Sequence, residues 1–286
     1  FHSPKAVCHS TAAEKAGLPT AVLWHTAFGE WNVWNQGLPV LNAARAGIGL
    51  PPLTDVFEQY RRMDRVLVLT SEAFDFAVAP TELPSNVRHV GPQLAAAPKS
   101  DGMAGAREQP PLVLVSLSTA YQAQEGVLLR VIAALGALPV RGLVTTGPAV
   151  SLDVDLPDNV EVSAWIPHAD VLPCAALVIT HAGMGTVMTT MAHGVPMLCL
   201  PMGRDQHGNA ARVAQLGAGR VLAADASPAE IAAAVRDALA DPALRHNAQR
   251  VAETIRADIE ADRAVRELEA LTRDAQRSPH AEGRAC

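Results

Sequence analysis

Along the second half of the chain, short apolar runs alternate with segments whose apolar residues have helical spacing. Residues 112–117 form a largely apolar run, and residues 124–138 place apolar side chains on one predicted helix face. The same alternation predicts further strands at residues 143–145, 160–164, 177–180, 197–200 and 219–222. Further helices are predicted at residues 184–193 and 209–216, from Pro228, and over about 242–271. Apolar strands separated by helices are typical of a parallel sheet covered on both faces, so the pattern predicts an α/β domain.

The first ninety residues show a similar but less regular pattern. Strands are predicted at residues 20–24, 65–69 and 87–90. The long stretch between the first of these strands and Arg62 shows no pattern from which a helix or strand is predicted. A segment with Pro, Gly, Ala and mixed charges then follows without periodicity, as is typical of a linker between domains. The predicted division is a first domain at residues 1–94, a linker at 95–111, a second domain at 112–273 and a polar tail at 274–286.

Composition and charge restrict the possible classes of function. The chain has 286 residues, with 23 Lys and Arg against 29 Asp and Glu, and this acidic balance argues against a nucleic-acid partner. Hydrophobic residues make up 49% of the chain, which favours a large core and excludes wholesale disorder. The four cysteines lie far apart without a CxxC pair, and this favours a reducing cytoplasm. No apolar run approaches the roughly 18 residues that a membrane span needs.

The junction at residues 180–186 carries the densest chemical signal. Gly183 and Gly185 lie between a predicted strand and a predicted helix, where backbone N–H groups and the helix dipole can meet a phosphate. His181 adds a donor that becomes cationic beside a phosphate, and Thr186 adds a hydroxyl. The alternative is tight turn packing without a ligand. A dinucleotide fingerprint starting at Gly183 is disfavoured, because its third glycine would fall on Met188.

Other predicted strand ends carry polar or aromatic side chains. Asp205 and Gln206 can bind sugar hydroxyls, or they can cap the helix that follows. Trp165 can stack on a nucleobase, or it can be an ordinary core residue. Hydroxyl side chains at residues 116–119 follow another strand. Since the carboxyl ends of parallel strands meet at one edge of a sheet, we expect these groups to surround one ligand site.

The succession of these motifs resembles the UDP-glycosyltransferase family with the GT-B fold, and most closely its bacterial macrolide-type members. The matching motifs, in order, are Trp165-Ile166-Pro167, residues 181–186, Gly194-Val195-Pro196, and Asp205-Gln206 with Asn209. The resemblance implies two Rossmann-like parallel-sheet domains, with an incomplete N-terminal one. Residues 1–94 would be part of an acceptor-binding domain, and residues 112–273 would be the domain that binds the nucleotide-sugar donor.

The resemblance also implies roles for single residues. Trp165 would stack on the nucleobase and the backbone at Ile166 would read its edge. The diphosphate would be held by His181, Gly183, Gly185, Thr186 and Thr119. Asp205 and Gln206 would hold hydroxyls of the transferred sugar. One departure is Thr189, where the family usually has a glutamate for the ribose hydroxyls.

No metal and no cofactor are expected, apart from a UDP-sugar or TDP-sugar as co-substrate. The family needs no metal, and helix amides with His181 can stabilise a departing diphosphate. The only metal-like string, Asp153-Val154-Asp155, fits a solvated turn.

The implied reaction moves a hexose, with inversion, to a hydroxyl of a hydrophobic small-molecule acceptor. The catalytic residues are unknown and expected upstream of Phe1, because the family's base motif has no counterpart in this sequence and the chain resembles one shortened at its N-terminus. An alternative is a non-catalytic nucleotide-sugar-binding subunit that needs an acceptor-domain partner. A second alternative, a Rossmann-type oxidoreductase, would require tight NAD binding.

Overall fold

A computed structural model describes residues 4–28, 35, 37–75, 83–94, 110–117, 124–147, 150 and 154–277. The chain divides into two compact units. The first unit is Phe1–Gln93 with Asp258–Cys286, and the second is Leu94–Ala257. No helix in the described part of the chain is long and apolar enough to cross a membrane.

The second unit is built on a six-stranded sheet in which all neighbouring strands are parallel. Its strands are β4 (Leu112–Ser116), β5 (Arg141–Thr145), β6 (Val160–Ser163), β7 (Ala175–Thr180), β8 (Met197–Cys199) and β9 (Gly219–Val221). They lie in the order β6-β5-β4-β7-β8-β9. The central strands β4 and β7 are almost wholly buried, because helices cover the sheet on both faces. The α/β class and the parallel sheet predicted from the sequence are confirmed.

The described part of the second unit contains several helices, of which α8 begins at a clear start signal in the sequence. They are α4 (Glu125–Gly136), α5 (His168–Val171), α6 (Met184–Ala192), α7 (Gln206–Gln215) and α8 (Pro228–Ala240), and α9 (Pro242–Glu260) follows. Ser227 and Glu230 form a reciprocal capping box at the start of α8, with Pro228 in its first turn. Val113 and Ile179 of the sheet pack with Leu128 of α4 and Val235 of α8 in one core.

The first unit contains a three-stranded parallel sheet of β1 (Ala21–Trp24), β2 (Arg65–Val68) and β3 (Val87–His89), in that order. Three helices, α1 (Pro4–Ala16), α2 (Leu38–Gly47) and α3 (Val56–Arg61), were not predicted. The apolar residues of α1 are mostly alanine and mark no clear stripe, and α3 is less than two turns long. The core of this unit is aromatic, with Trp24 packed edge-on against Phe28 and Tyr60.

The C-terminal region corrects two predictions. The single helix predicted over residues 242–271 is two helices, α9 and α10 (Arg263–Arg277), because Asp262 takes a left-handed φ of +49° between them. The predicted second domain ran to residue 273, whereas residues from Asp258 onward lie with the first unit. Glu267 and Asp274 of α10 pair there with Arg65 of β2. Residues 95–109 of the predicted linker and residues 278–286 of the predicted tail lie outside the described residues.

Candidate functional site

A cavity of about 370 Å³ lies at the carboxyl ends of the strands of the second unit. The chain runs from β4 outward to β5 and β6, and then returns to the other side of β4 as β7. Open α/β sheets bind ligands at such a reversal of strand order. The cavity wall combines the ends of β4, β5, β6 and β7 with the first turn of α6. Its residues include Ser116, Thr145, Trp165, Ile166, His168, His181, Gly183, Gly185, Thr186 and Thr189. Six of the nine predicted donor-binding residues therefore line a single cavity.

The loop between β7 and α6 has a tightly fixed backbone. Ala182 is buried and has a φ of +65°, a conformation that residues other than glycine rarely adopt. Its N–H donates to Thr180 Oγ1 over 3.2 Å. At Gly183, an added Cβ would lie 2.5 Å from Nε2 of His181, so the imidazole can pack there only against a glycine. No side chain caps the N-terminus of α6, whose first N–H groups have no partner within the helix.

His181 is buried in the cavity wall, 8% exposed. Burial lowers the pKa of its imidazole to about 4, although a hydrogen bond to the Ser116 backbone and the charge of Asp205 act in the opposite direction. His181 is therefore neutral at pH 7 in this structure, and the cationic form expected from the sequence would need an anion beside it. Its Nδ1 atom is buried and has no hydrogen-bond partner within the described residues. A buried polar atom of this kind is suited to a ligand.

Trp165 follows β6 and is 68% exposed, so the alternative of a core tryptophan is wrong. Ser163 Oγ donates to the Trp165 carbonyl over 3.2 Å and fixes the loop on which the indole lies. The exposed indole and the buried His181 line the same cavity. One end of the cavity wall is thus flat and aromatic, and another consists of helix N–H groups and an imidazole.

Asp205 and Gln206 lie at the start of α7, close to this cavity but not in its wall. Gln206 is buried, and its Oε1 accepts hydrogen bonds from the N–H groups of Met202 and Gly203. In this structure Gln206 Oε1 thus stabilises the loop that follows β8. Asp205 makes no capping hydrogen bond with its side chain. Its Oδ2 accepts from Asn209 Nδ2, which also donates to Ala182 of the β7–α6 loop.

His168, which the sequence analysis did not single out, lines the same cavity, and His193 lies near it. His168 begins α5 directly after the Trp165-Ile166-Pro167 motif, and its Nε2 lies 2.9 Å from Ser116 Oγ. Burial, with a contribution from His193, lowers the pKa of His168. His193 Nδ1 in turn lies 2.8 Å from the carbonyl oxygen of Thr189. Their spacing in the sequence gave no signal, because His168 begins α5 and His193 follows α6, and only the fold brings them together.

Thr119 and Asp153 lie outside the described residues. Thr189 does line the cavity, and its Oγ1 donates to the Gly185 carbonyl over 2.8 Å. Within the described residues, no group of three His, Cys, Asp or Glu side chains could hold a metal ion.

Parts of the chain are similar to known proteins. Residues 130–271 match the family described as erythromycin biosynthesis protein CIII-like, C-terminal domain. The 4′-demethylrebeccamycin synthase of Lentzea aerocolonigenes is 34% identical over 217 residues, which cover 73% of this chain and 51% of that protein. The chain therefore spans about half the length of this curated relative.

Solved structures of glycosyltransferases share the fold. The glycotransferase of kitacinnamycin has a TM-score of 0.75 at 24% identity, over 94% of this chain and 74% of that chain. The spinosyn rhamnosyltransferase SpnG, solved in complex with thymidine diphosphate, has a TM-score of 0.71 at 23% identity, over 92% of this chain and 70% of that chain. These similarities confirm the predicted GT-B-like α/β fold.

Proposed function

We propose that this chain, whose residues 130–271 match the EryCIII-like C-terminal domain family, binds a nucleotide-sugar and serves transfer of the sugar to an acceptor hydroxyl. The observation that carries the proposal is the single cavity at the strand reversal, lined by an exposed Trp165 and by the uncapped start of α6. This combination suits a ligand with a flat base and a diphosphate.

In the proposed complex, each part of the donor meets one part of the cavity. Trp165 stacks on a pyrimidine base, and the backbone at Ile166 contacts its edge. The N–H groups at Gly183 and Gly185, the Thr186 hydroxyl and the His181 imidazole hold the diphosphate. Asp205 and Gln206 bind hydroxyls of a hexose, for which Gln206 Oε1 would have to leave the loop backbone that it now contacts. Thr119, which lies outside the described residues, is proposed as a further phosphate contact.

The donor would be a UDP-hexose or a TDP-hexose. The thymidine diphosphate bound to SpnG supports a nucleoside diphosphate of this size. Thr189 presents no carboxylate to a ribose, and its hydroxyl donates to the Gly185 carbonyl. Position 189 therefore has no charged side chain that would favour uridine over thymidine or the reverse.

The proposed reaction is an in-line displacement with inversion. The acceptor oxygen forms a bond to the anomeric carbon while the bond from that carbon to the diphosphate breaks, and the acceptor proton passes to a base. Helix N–H groups and the His181 imidazole would stabilise the charge that develops on the leaving diphosphate, without a metal. The acceptor is proposed to be a hydrophobic small molecule with a hydroxyl group, and the base is not assigned to a described residue.

Calorimetric titration with UDP and TDP tests the binding step. We expect Trp165→Ala to weaken binding by about 5- to 150-fold, since stacking of a base on an aromatic ring contributes about 1–3 kcal/mol. His181→Ala should weaken binding as well. Leu129→Ala is the matched control, because Leu129 is also an exposed apolar side chain but does not line the cavity. Unchanged affinity in both cavity variants would refute the proposal.

Transfer is tested separately from binding. The purified chain is incubated with a UDP-hexose or TDP-hexose and a phenolic acceptor, and glycosylated product is measured. Product formation would support a complete enzyme. Binding without product would favour the alternative, a nucleotide-sugar-binding subunit that needs a partner to supply the acceptor site.

A further inference from the structure

Asn209 connects two loops of the candidate site. It is fully buried on α7, and its Nδ2 donates to the Ala182 carbonyl oxygen over 3.0 Å and to Asp205 Oδ2 over 3.0 Å. Both partners are pure acceptors, so only the amide nitrogen of Asn209 can face them. Its Oδ1 is buried with no partner within the described residues. Asn209 thus uses both N–H groups of its side-chain amide, while its unpaired oxygen lowers the stability of the folded state.

The hydrogen bond to Ala182 determines the direction of the next N–H group. A trans peptide is planar, so the Gly183 N–H points opposite to the Ala182 carbonyl. Since that carbonyl points to the buried Asn209, the Gly183 N–H points away from Asn209, and Gly183 itself lines the cavity. Ala182 has a strained left-handed backbone, held on its other side by Thr180 Oγ1. Without Asn209, this peptide would be free to rotate toward a less strained conformation.

We propose that Asn209 is a positioning residue that aims the Gly183 N–H at the diphosphate of the donor and holds Asp205 at a fixed place beside it. The inference rests on the proposed function, because it assigns the diphosphate to this N–H group. Asn209 is 0% exposed and does not line the cavity, so it acts through these two residues and not by contact with the ligand.

The test combines affinity with a signal from the Gly183 amide. Asn209→Leu removes both donors at similar size, and Asn209→Asp keeps the shape but has no donor when ionised. TDP and UDP are titrated by calorimetry, and the Gly183 N–H resonance is followed by NMR after labelling of alanine carbonyls and glycine nitrogens. In the wild type we expect TDP or UDP to move this resonance strongly. In both variants the movement should be lost and the Kd should rise about 10- to 100-fold, as for a lost hydrogen bond to a charged group.

Asn159→Asp is the matched control. Asn159 Nδ2 donates to the carbonyl oxygens of Leu135, Leu138 and Val140, all away from the cavity. This variant removes the same type of amide donor from the same unit. It should lower the Tm but leave both the Kd and the Gly183 response unchanged. If Asn209→Leu does not fold, Asn209→Ser takes its place, because a serine hydroxyl is too short to reach both oxygens.

The outcomes separate the inference from the proposed function. If the wild type binds and the Asn209 variants bind equally well with an unchanged Gly183 response, the inference is wrong and the proposed function stands. If Asn159→Asp weakens binding as much as the Asn209 variants do at equal loss of Tm, Asn209 has only a structural role. If the wild type binds neither TDP nor UDP, the proposed function is wrong, and the inference is overturned with it.

Discussion

At the scale of single residues, the buried His181 makes the stability of the second unit depend on pH. Its pKa is lowered from 6.5 to about 4, with burial as the main cause. Between these two values the unfolded chain binds a proton that the folded chain does not, so the free energy of unfolding falls as the pH falls. The contribution of His181 is complete above about pH 6.5 and decreases down to about pH 4.

We expect the wild type to lose about 2 kcal/mol of stability through His181 between pH 7 and pH 5. His181→Gln removes this titration and should show a correspondingly smaller loss over the same range. Urea unfolding of both proteins at the two pH values measures the difference. His168 and His193 also have lowered pKa values, and because both proteins contain them their effect cancels in the comparison. Parallel pH dependence in the two proteins would contradict the assignment to His181.

Six of the nine residues that the sequence grouped together line one cavity, but the sequence could not predict how they contact each other. Gly183 was expected to allow a ligand close to the backbone, and the structure adds that it also makes room for the imidazole of His181. Gln206 was expected to bind a sugar, yet its oxygen accepts from the loop backbone in this structure. Such contacts depend on side-chain directions that a motif does not contain.

At the scale of elements, strong local signals in the sequence were sufficient to predict the strands of the second unit. The strands of the second unit were predicted to within two residues at their ends, and β4, β7 and β8 gave the strongest signals because they are largely apolar runs. The helices α1, α2 and α3 were missed, since they are short or lack a clear apolar stripe. The break between α9 and α10 was missed as well, because only the backbone angle of Asp262 marks it.

The capping box of α8 allows a quantitative expectation. Ser227 Oγ accepts from the Glu230 N–H, and Glu230 Oε2 accepts from the Ser227 N–H. Ser227→Ala removes the first of these bonds and should lower the free energy of unfolding by about 1 kcal/mol. Ser227→Asn is the control, since asparagine caps helices as well as serine does and should cost little. Urea denaturation measures both, and equal stability of the wild type and Ser227→Ala would show that solvent replaces the cap.

At the scale of the whole molecule, the alternation of strands and helices predicted the class of fold but not the division of the chain. Residues from Asp258 onward lie in the first unit because of bonds between distant parts of the sequence. Ser71 Oγ donates to Asp258 Oδ2 over 2.6 Å, and Arg65 pairs with Glu267 and Asp274. Local periodicity carries no information about pairs separated by almost two hundred residues. The sequence therefore assigned α10 to the domain that precedes it along the chain.

Asp258 should therefore contribute to the stability of the first unit. It is buried, and it contacts both Ser71 and Arg263. Asp258→Ala leaves the fully buried Ser71 hydroxyl without this acceptor, and we expect a loss of about 1–3 kcal/mol in urea unfolding. Ser71→Ala alone should cost less, because the carboxylate keeps Arg263. In the double variant the second change should add little, since the shared bond is already lost. Strictly additive losses would mean that the bond between Ser71 and Asp258 contributes nothing, and that α10 is held in the first unit by its other contacts.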